Sequence, residues 1–518
     1  MSRQYVTTAI DYPNAAPHMG HVLEKVLADV VARWFRLRGD DVRFQIGTDE
    51  HGVKVQRTAE AEGLTPQQLV DRNVPLYQDL YMRLNISDDK FIRTSDQKDH
   101  WPTVIELWKK LDKAGKLKKQ SYTGLYCSGC ERFMTKKDLE DGKCVNHKKE
   151  PEEVTEENYF FSLSKDGENL KKLLTKDLDG EEYRIVPQFR ENETLSLIDQ
   201  GLEDVSFSRP KTSLAWGIPV PGDSEHTMYV WCDALTNYIS GLDYFGKSGI
   251  SEVACHERAG GASRLGVEWW DDAEVTHVIG KDIARFHALI WPAMLKHSGV
   301  RTPDKLLIHG FLTSEGEKMS KTTGNVVDPK EVLKKFGDNP DPLRFYLSHE
   351  VPVGRDGDFS WDRIEKLYDS KLRNDLGNLL NRVLVLLQKE GGDLGNVGSD
   401  PLEVSKTWEM YKEKMNEFAL ENALQGAMEV VVRCNQLIDD RKPWGLEGKE
   451  KVNILTQLVE ALRHIALMLL PFTPGTSKKI LTQLGLKVPE TIEGKTEWGS
   501  EKGWKKVGEP EILFEPLG

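Results

Sequence analysis

Residues 5–47, YVTTAIDYPNAAPHMGHVLEKVLADVVARWFRLRGDDVRFQIG, decide the fold. The stretch begins with a strand-like run at 5–10, passes through a loop with two prolines, and then carries apolar residues at helical spacing over 22–35. Gly39 is placed to end that helix, and residues 42–47 are typical of a second strand. Strand, helix and strand joined by short loops predict an α/β fold with a doubly wound, Rossmann-type parallel sheet.

The alternation of strand-like and helix-like segments continues to about residue 360, with one interruption. Residues 116–216 hold a cysteine cluster, many charges and short strand-like runs, which indicates an insertion into the sheet. Alternation then resumes, with strand-like residues at 228–231, 275–279 and 306–308 and a helical segment at 282–297. We therefore expect residues 1–115 and 217–360 to form the two halves of one catalytic domain.

Strand-like patterns disappear beyond residue 361. Three stretches carry apolar residues at helical intervals, separated by turns rich in Gly, Pro or Asp: 364–389, 403–441 and 452–484. They predict an all-α helical bundle domain over residues 361–518.

Composition limits the class of protein. At 518 residues the chain exceeds a single hydrophobic core. A net charge of −13 argues against a protein that coats nucleic acid, although a local RNA-binding patch remains compatible with it. The sequence lacks a run of about 18 apolar residues and a secretory signal, so we expect a cytoplasmic protein without membrane contact. Six cysteines in so long a chain are no disulfide framework.

The loop between the first strand and the first helix carries two histidines three residues apart, His18 and His21. It lies at the carboxyl end of a strand in an open sheet, where ligands of such folds bind. Two imidazole donors beside a helix N-terminus suit a polyphosphate, and Gly20 between them lets a flat purine approach the backbone. Loop histidines are more often ordinary surface residues, but the spacing, position and glycine together favour a site.

A second polar loop follows the last strand-like segment and reads Lys318-Met319-Ser320-Lys321-Thr322. Lys318 and Lys321 form a cationic clamp that is able to stabilise charge on a pyrophosphate leaving group. A solvated charged loop is the plain alternative for this composition.

Together the two loops resemble the signatures of class I aminoacyl-tRNA synthetases, a His-x-Gly-His element and a Lys-Met-Ser-Lys-Ser loop. Both occur here in that order, about 300 residues apart, with an insertion between them. Two positions depart from the family pattern: Met19 replaces Ile or Leu, and Thr322 replaces the last Ser. Both changes keep the chemistry, apolar in one case and a hydroxyl in the other.

Within the class, residues 47–52 (GTDEHG), 230–238 (VWCDALTNY) and 279–293 (IGKDIARFHALIWPA) resemble the methionyl-tRNA synthetase family. The resemblance implies a catalytic set of His18, His21, Lys318 and Lys321. It implies an ATP site at Gly20, Glu24, Gly280, Asp282, His309, Met319 and Ser320. It implies a methionine pocket formed by Ala9, Ile10, Tyr12, Asp49, Trp231, Leu235, Tyr238, Phe286, His287 and Trp291.

The chemistry of the implied pocket agrees with its ligand, because a thioether packs favourably on aromatic rings. Tyr12 and His287 offer polar atoms to the sulfur, and Asp49 would hold the α-ammonium. Without the resemblance, each Trp would be read as core packing. Leu235 departs from a proline common among relatives. Asp11 stands where relatives usually have an aromatic residue or proline, and the sequence offers no account of it.

Three of the cysteines form a further pattern, Cys127-x-x-Cys130 followed by Cys144-x-x-His147. Two such pairs, thirteen residues apart, supply four ligands for one tetrahedral zinc ion. Four protein ligands leave no open position, so the zinc would be structural and would hold the tip of the insertion. A redox Cys-x-x-Cys pair and unconnected thiols are the alternatives. The pattern resembles the single-knuckle form of the family.

The helical domain is expected to bind the anticodon. Asn378 and Arg382 lie four residues apart and so share a helix face. By resemblance, they and Trp444 read a splayed single-stranded base, the indole by stacking and the polar groups at the base edges. Alone, the three residues would be a solvated helix face and a cap on the bundle.

The resemblance therefore implies a two-step enzyme that uses ATP and magnesium to form methionyl-adenylate and then esterifies tRNA(Met), with zinc as a structural ion. The family also implies rejection of homocysteine by cyclisation. Alternatives are a class I synthetase for another amino acid, such as cysteine or leucine, a non-catalytic tRNA-binding paralogue, and a small nucleotidyltransferase. Since the chain stops soon after the helical bundle, an extra C-terminal tRNA-binding domain is not expected, and a monomer is.

Overall fold

A computed structural model describes residues 2–127, 132–134, 138–145, 148–176, 182–246, 263–314, 316–318 and 327–517, with the backbone alone at 132, 133, 317 and 318. Its centre is a sheet of six parallel strands in the order Lys90–Arg93, Asp41–Thr48, Arg3–Thr8, Glu274–Gly280, Lys305–His309 and Arg184–Val186. The predicted doubly wound parallel sheet is confirmed.

The first helix, Met19–Arg38, returns the chain from the first strand to the second and buries most of its length. Gly39 ends it at a φ of 98°, a conformation that a residue without a Cβ adopts without strain. The rest of the first 115 residues supplies three further helices, Val53–Ala61, Pro66–Arg83 and Trp101–Lys113.

The segment predicted as an insertion is built around a long antiparallel pair, Leu117–Cys127 with Glu152–Phe161. Shorter strands surround it at Arg132–Met134, Leu139–Glu140, Lys143–Cys144 and Val205–Ser206, with helices at Gly167–Leu174 and Gln188–Asp199. The strand Arg184–Val186 of the same segment pairs with Lys305–His309 at the edge of the central sheet. Residues 116–216 therefore contribute to the catalytic sheet as well as to the insertion.

The second half of the catalytic region opens with a small antiparallel sheet, Ser208–Pro210, Pro219–Val220 and Asp223–Met228. Helical segments follow at Val230–Leu235, Asn237–Ser240, Arg264–Gly266, Val267–Asp271, Lys281–Ile283, Phe286–Ile290 and Trp291–Ser298, of which 267–271 and 286–290 are π-helical and 281–283 is 3₁₀. Three short strands and two helices complete it: Leu312–Ser314, Glu317–Lys318, Pro329–Lys335, Asp341–Glu350 and Gly357–Phe359.

One sequence prediction in this region is wrong. Residues 228–231 were expected to be strand, but the strand ends at Met228 and Trp231 lies in the helix Val230–Leu235. Aromatic and β-branched residues favour strands locally, and burial against the rest of the catalytic core overrides that preference here.

The predicted helical domain is confirmed. Its elements are Trp361–Leu367, the π-helix Tyr368–Gly377, Asn378–Lys389, Val404–Asn416, Leu420–Arg441, the 3₁₀ turn Pro443–Gly445, Gly448–Leu469 and Pro474–Gln483. Two predicted stretches each divide into two helices, one near Phe418, whose φ is 60°, and one at Pro474. Among the described residues, one helix, Gly448–Leu469, has the length and apolar character to cross a bilayer, and 83% of its most apolar window is buried inside the protein.

The helical domain packs directly on the first helix. The Trp34 indole donates a hydrogen bond to Asn416 Oδ1 at 3.1 Å. Arg344 of the helix Asp341–Glu350 forms a bridge, because its buried guanidinium pairs with Asp29 at 2.7 Å and donates to the Phe472 carbonyl at 2.8 Å. One apolar core therefore runs from the central sheet into the helical domain.

Candidate active site

A cleft of about 540 Å³ opens where the strands Arg3–Thr8, Glu274–Gly280 and Lys305–His309 end at their carboxyl edge. This is the place where open parallel sheets bind ligands. It brings together residues that the sequence assigned to ATP and methionine: Ile10, Tyr12, His18, Gly20, His21, Glu24, Gly280, Asp282 and His309.

His18 and His21 form the N-terminal cap of the first helix. The His18 ring accepts a hydrogen bond from Gly20 N–H at 3.1 Å through Nδ1, and the His21 ring accepts one from His18 N–H at 3.1 Å, also through Nδ1. The two rings stack with centroids 3.9 Å apart. In both rings Nδ1 is occupied as an acceptor, so a proton offered to a ligand comes from Nε2.

The charge state of His21 follows from its surroundings. Burial and, second to it, the positive charge of Lys25 together lower the pKa of His21 to about 3. His21 is therefore a neutral donor at physiological pH, and the positive end of the helix dipole adds to the potential that an anion meets at this loop.

Gly20 has a steric reason to lack a side chain. A Cβ at this position would lie 3.0 Å from His18 Cε1 and 3.1 Å from His18 Nδ1. Any larger residue would push the His18 ring away from its capping position. The close approach to the Gly20 backbone that was predicted for a purine is therefore made by the His18 imidazole.

The aromatic residues predicted for methionine form one cluster beside the cleft. Trp231 and Phe286 stack in parallel with centroids 3.7 Å apart, and the His287 ring meets the Trp231 ring edge-on at 6.4 Å. Tyr238 lies 5.9 Å from Trp291. Phe286 and His287 begin a π-helical turn, whose wider spacing points side chains in directions that an α-helix would not, a feature often found at functional sites.

The polar atoms inside the aromatic cluster are satisfied by one another. Tyr238 O–H donates to His287 Nε2 at 2.6 Å, while His287 Nδ1–H donates to the Ile283 carbonyl at 3.1 Å. Burial lowers the pKa of His287 to about 4. His287 is therefore uncharged at neutral pH, and both of its ring nitrogens are hydrogen-bonded within the protein.

The remaining predicted methionine residues are placed as follows. Ala9 and Ile10 follow the first strand, Leu235 is buried at the end of the helix Val230–Leu235, and Asp49 follows the second strand with 2% of its surface exposed. Asp49 N–H donates to the Asp11 carbonyl at 2.8 Å, which joins the ends of the first two strands.

Sequence reasoning missed a buried charge cluster under the cleft, formed by Asp11, Glu24, Lys25 and Tyr81. It also missed a buried His51–Asp233–His100 chain, in which each histidine approaches Asp233 to 2.6 Å. The available signal for the first cluster was the presence of charged residues at 24, 25 and 29 among the apolar residues of the first helix. Charged residues at such positions are buried, and buried charges require partners.

Part of the predicted site cannot be placed. Met319, Ser320 and Lys321 lie outside the described residues, and for Lys318 only the backbone is described, in the strand Glu317–Lys318. The strand Glu317–Lys318 pairs with Leu312–Ser314, which follows His309 at the cleft.

Two of the four predicted zinc ligands are described. Cys127 and Cys144 are both buried and pack in one small cluster with Met134. Cys130 and His147 lie outside the described residues. One cysteine from each half of the pattern therefore lies in the same small cluster, an arrangement compatible with a shared metal ion.

The predicted anticodon residues lie together on the helical domain. Asn378 is exposed and Arg382 partly exposed on the helix Asn378–Lys389. The Arg382 guanidinium lies 5.8 Å from the centroid of the Trp444 ring and pairs with Asp439 at 3.3 Å. Trp444 is 51% exposed, which is unusual for so large an apolar side chain and makes the indole accessible to a partner.

Comparison with known proteins identifies the family. A family model described as tRNA synthetases class I (M) matches residues 4–140 and 129–384, and one described as the anticodon-binding domain of tRNA ligase matches residues 402–514. Methionine–tRNA ligase of Caldanaerobacter subterraneus subsp. tengcongensis is 39% identical over 98% of this chain and 78% of its own length. The corresponding ligase of Brucella suis biovar 1 is 38% identical over 94% of this chain and 93% of its own.

Solved structures agree with the sequence relatives. Mycobacterium tuberculosis methionyl-tRNA synthetase in complex with methionyl-adenylate superimposes with a TM-score of 0.87 at 35% identity and full coverage of both chains. The apo form of that enzyme gives 0.80 at 32% identity, covering 100% of this chain and 98% of its own. The chain therefore belongs to the methionine–tRNA ligase family of class I tRNA synthetases.

Proposed function

We propose that this chain activates methionine with ATP, releasing pyrophosphate, and then transfers the methionyl group to the 3′ end of tRNA(Met). The observation that carries the proposal is the meeting of two elements at one sheet edge. These are a helix cap with two stacked imidazoles and an aromatic cluster that His287 joins, through the Ile283 carbonyl, to the wall of the cleft. The relatives named methionine–tRNA ligase support the same reaction.

In the first step a carboxylate oxygen of methionine attacks the α-phosphorus of ATP in line. The bond to the β-phosphate oxygen breaks, and methionyl-adenylate and pyrophosphate result. His18 and His21 would donate Nε2–H to phosphate oxygens as charge moves onto the leaving group, because their Nδ1 atoms are held by backbone N–H groups. Lys318 and Lys321 would add positive charge on the pyrophosphate side.

The adenosine moiety would lie between the two halves of the sheet. Gly280 and Asp282 follow one strand and His309 ends another, and all three line the cleft together with Glu24. Met319 and Ser320 belong to the same proposed subsite through the loop that follows.

Selection of methionine would come from the aromatic cluster. A thioether makes contacts worth about 0.3–1.5 kcal/mol with aromatic rings, and Trp231, Phe286 and Trp291 supply them. Asp49 is proposed to bind the α-ammonium group, and Tyr12, Leu235 and Ala9 to complete the wall. Cyclisation of activated homocysteine in the same pocket is part of the proposal and follows from the family resemblance.

In the second step the terminal ribose hydroxyl of the tRNA attacks the activated carbonyl and AMP leaves. Asn378, Arg382 and Trp444 would read the anticodon from the helical domain. Replacing Trp444 by Ala should remove the stacking of one base, which contributes about 1–3 kcal/mol, and should lower kcat/KM for tRNA accordingly. Methionine-dependent pyrophosphate exchange should be unchanged. An equal loss in both assays would remove Trp444 from the tRNA site.

Two metal ions belong to the proposal. Magnesium, bound to the ATP phosphates, neutralises their charge. Zinc would be held by Cys127, Cys130, Cys144 and His147 and would fix the tip of the insertion. Elemental analysis of purified protein should find one zinc per chain, and Cys144→Ser should release it. A metal-free native protein that aminoacylates normally would overturn the zinc site.

We further place the enzyme in the cytoplasm as a monomer. Six cysteines in 518 residues are no disulfide framework, which suits a reducing compartment. Light scattering of the purified chain tests the monomer, which predicts a mass near 58.9 kDa.

Aminoacylation tests the whole function. Purified protein with ATP, magnesium and labelled methionine should charge tRNA(Met) and leave tRNA species for cysteine and leucine uncharged. Charging with another amino acid would keep the class and overturn the pocket assignment. Tight tRNA(Met) binding without charging would favour a non-catalytic tRNA-binding protein instead.

A further inference from the structure

Lys25 lies under the cleft, and its side chain has no exposed surface. Its ammonium group uses all three of its protons, donating to the Ala9 carbonyl at 2.9 Å, to Asp11 Oδ1 at 3.1 Å and to Glu24 Oε1 at 2.8 Å. The group is therefore fully engaged within the protein, and a ligand in the cleft is not its partner.

On one side, Lys25 reaches the methionine residues through Asp11. The Asp11 carboxylate also accepts from Tyr81 O–H at 2.5 Å, which fixes its orientation. Its backbone N–H donates to the Gly47 carbonyl at 3.0 Å, and its carbonyl accepts from Asp49 N–H at 2.8 Å. Asp11 thereby ties the end of the first strand to the residue proposed to bind the methionine ammonium.

On the other side, Lys25 reaches the ATP residues through Glu24. The second oxygen of Glu24 lies 3.2 Å from His309 Nε2, and His309 Nδ1 lies 2.7 Å from the Gly310 carbonyl. The His309 ring therefore links Glu24 to the end of its own strand through both ring nitrogens. Glu24 and His309 line the cleft where the adenosine moiety is proposed to lie.

The charges of this cluster depend on one another. Burial raises the pKa of Asp11, which the positive Lys25 partly opposes. The pKa of Glu24 falls to about 2 against the opposing effect of burial, because Lys25 and His309 stabilise its charge. Removing the lysine would leave two carboxylates without their shared cation in a dry site, an arrangement that proteins avoid by rearrangement or protonation.

We propose that Lys25 and Asp11 are a positioning pair that couples the methionine subsite to the ATP subsite, through Asp49 on one side and Glu24–His309 on the other. The inference rests on the proposed function, since it assigns the two subsites to methionine and ATP. It gives a role to Asp11, for which the sequence offers no account: Asp11 lies at the wall of the cleft and its carboxylate holds the Lys25 ammonium. Neither residue touches the reacting atoms.

The coupling is measured as a ratio of binding constants. Methionine is titrated into the full chain by calorimetry, alone and with saturating α,β-methylene ATP, which cannot release pyrophosphate. Coupled sites typically change each other's affinity about 5- to 150-fold, and we expect the wild type to bind methionine more tightly with the analogue by a factor in this range. Lys25→Met should bring the factor to within twofold of one.

Asp11→Asn is the second variant, because it keeps the shape of the side chain and is expected to fold where Lys25→Met fails. It should reduce the coupling factor at least threefold. The matched control is Asp29→Asn, which weakens the other buried ion pair of the same helix, one turn further on, where Asp29 meets Arg344 at 2.7 Å. The control should lower the melting temperature and leave the coupling factor unchanged.

The outcomes separate the inference from the proposed function. Loss of coupling in Asp11→Asn with intact coupling in Asp29→Asn supports the positioning pair. Parallel weakening of both ligands with an unchanged ratio shows a purely structural cluster and overturns it. A wild type that binds methionine without responding to the analogue also overturns the inference but leaves the function standing, whereas a wild type that binds no methionine removes both.

Discussion

The cleft proposed to bind ATP and the aromatic cluster proposed to bind methionine are built in different ways. One side of the cleft is bounded by polar groups that a short stretch of chain supplies, with His18 and His21 capping one helix. The pocket is an uncharged aromatic cluster whose members come from distant segments, such as Trp231 and Phe286. A loop whose conformation is fixed by local capping can be predicted from sequence, whereas an aromatic cluster assembled by tertiary packing cannot.

The largest effect should come from the cap itself. His21→Ala removes an Nε2–H donor placed at the helix N-terminus and should lower the rate of methionine-dependent pyrophosphate exchange by about 10²- to 10³-fold, the loss seen when one preorganised donor is removed. His297→Ala, which removes a histidine that pairs with Asp166 away from the cleft, should leave the rate within twofold. Equal losses in the two variants would show that His21 acts through the fold.

The geometry of the cap is tested without changing a polar group. Gly20→Ala places a methyl group 3.0 Å from His18 Cε1 and displaces the ring, and a displacement of about 1 Å is enough to cost on the order of 10²-fold in rate. Gly167→Ala introduces the same methyl group at ordinary contact distance, 3.6 Å from Ile198, and should leave the exchange rate unchanged. An active Gly20→Ala enzyme would mean that His18 stands in a different place during catalysis.

The uncharged pocket predicts a pH dependence of stability. The pKa of His287 is about 4 in the folded protein and about 6.5 in an unfolded chain, so the unfolded state binds more protons between these values. This residue alone should lower the free energy of unfolding by about 2 kcal/mol from pH 7 to pH 5. Urea titrations of wild type and His287→Asn at both pH values check this, and an identical pH slope in the variant would contradict it.

The smallest effect concerns the hydrogen bond inside the pocket. Tyr238→Phe leaves His287 Nε2 without its donor, and a buried unsatisfied group of this kind costs about 1–3 kcal/mol. We expect the KM for methionine to rise about tenfold and the KM for ATP to stay within twofold. Tyr183→Phe removes a hydroxyl that donates to the His287 carbonyl at 3.0 Å, and it should lower stability without changing either KM.

What could be predicted from the sequence divides in the same way, between features fixed by neighbouring residues and features fixed by tertiary packing. Strand periodicity and Gly39 predicted the central sheet and the end of the first helix, because both signals are local. The edge strand Arg184–Val186 was assigned to the insertion, since three residues carry too little pattern to reveal which sheet they join. The stack of Trp231 on Phe286 joins positions 55 residues apart, and only family resemblance pointed to it.

Asp11 and Lys25 show what sequence leaves open. A lysine among the apolar residues of the first helix indicates a buried charge, but not its partners. The pairing depends on how the helix docks on the strand end that carries Asp11, 14 residues earlier. Tertiary packing decides that contact, and the structure supplies the account that the sequence lacked.

ATP–pyrophosphate exchange across all twenty amino acids, without tRNA, tests the central claim most directly. The account predicts exchange with methionine alone, at a rate that His21→Ala reduces at least a hundredfold. Exchange with a different amino acid would contradict the aromatic pocket as a methionine site. No exchange from folded protein supplied with zinc and magnesium would contradict the assignment of the cleft to catalysis.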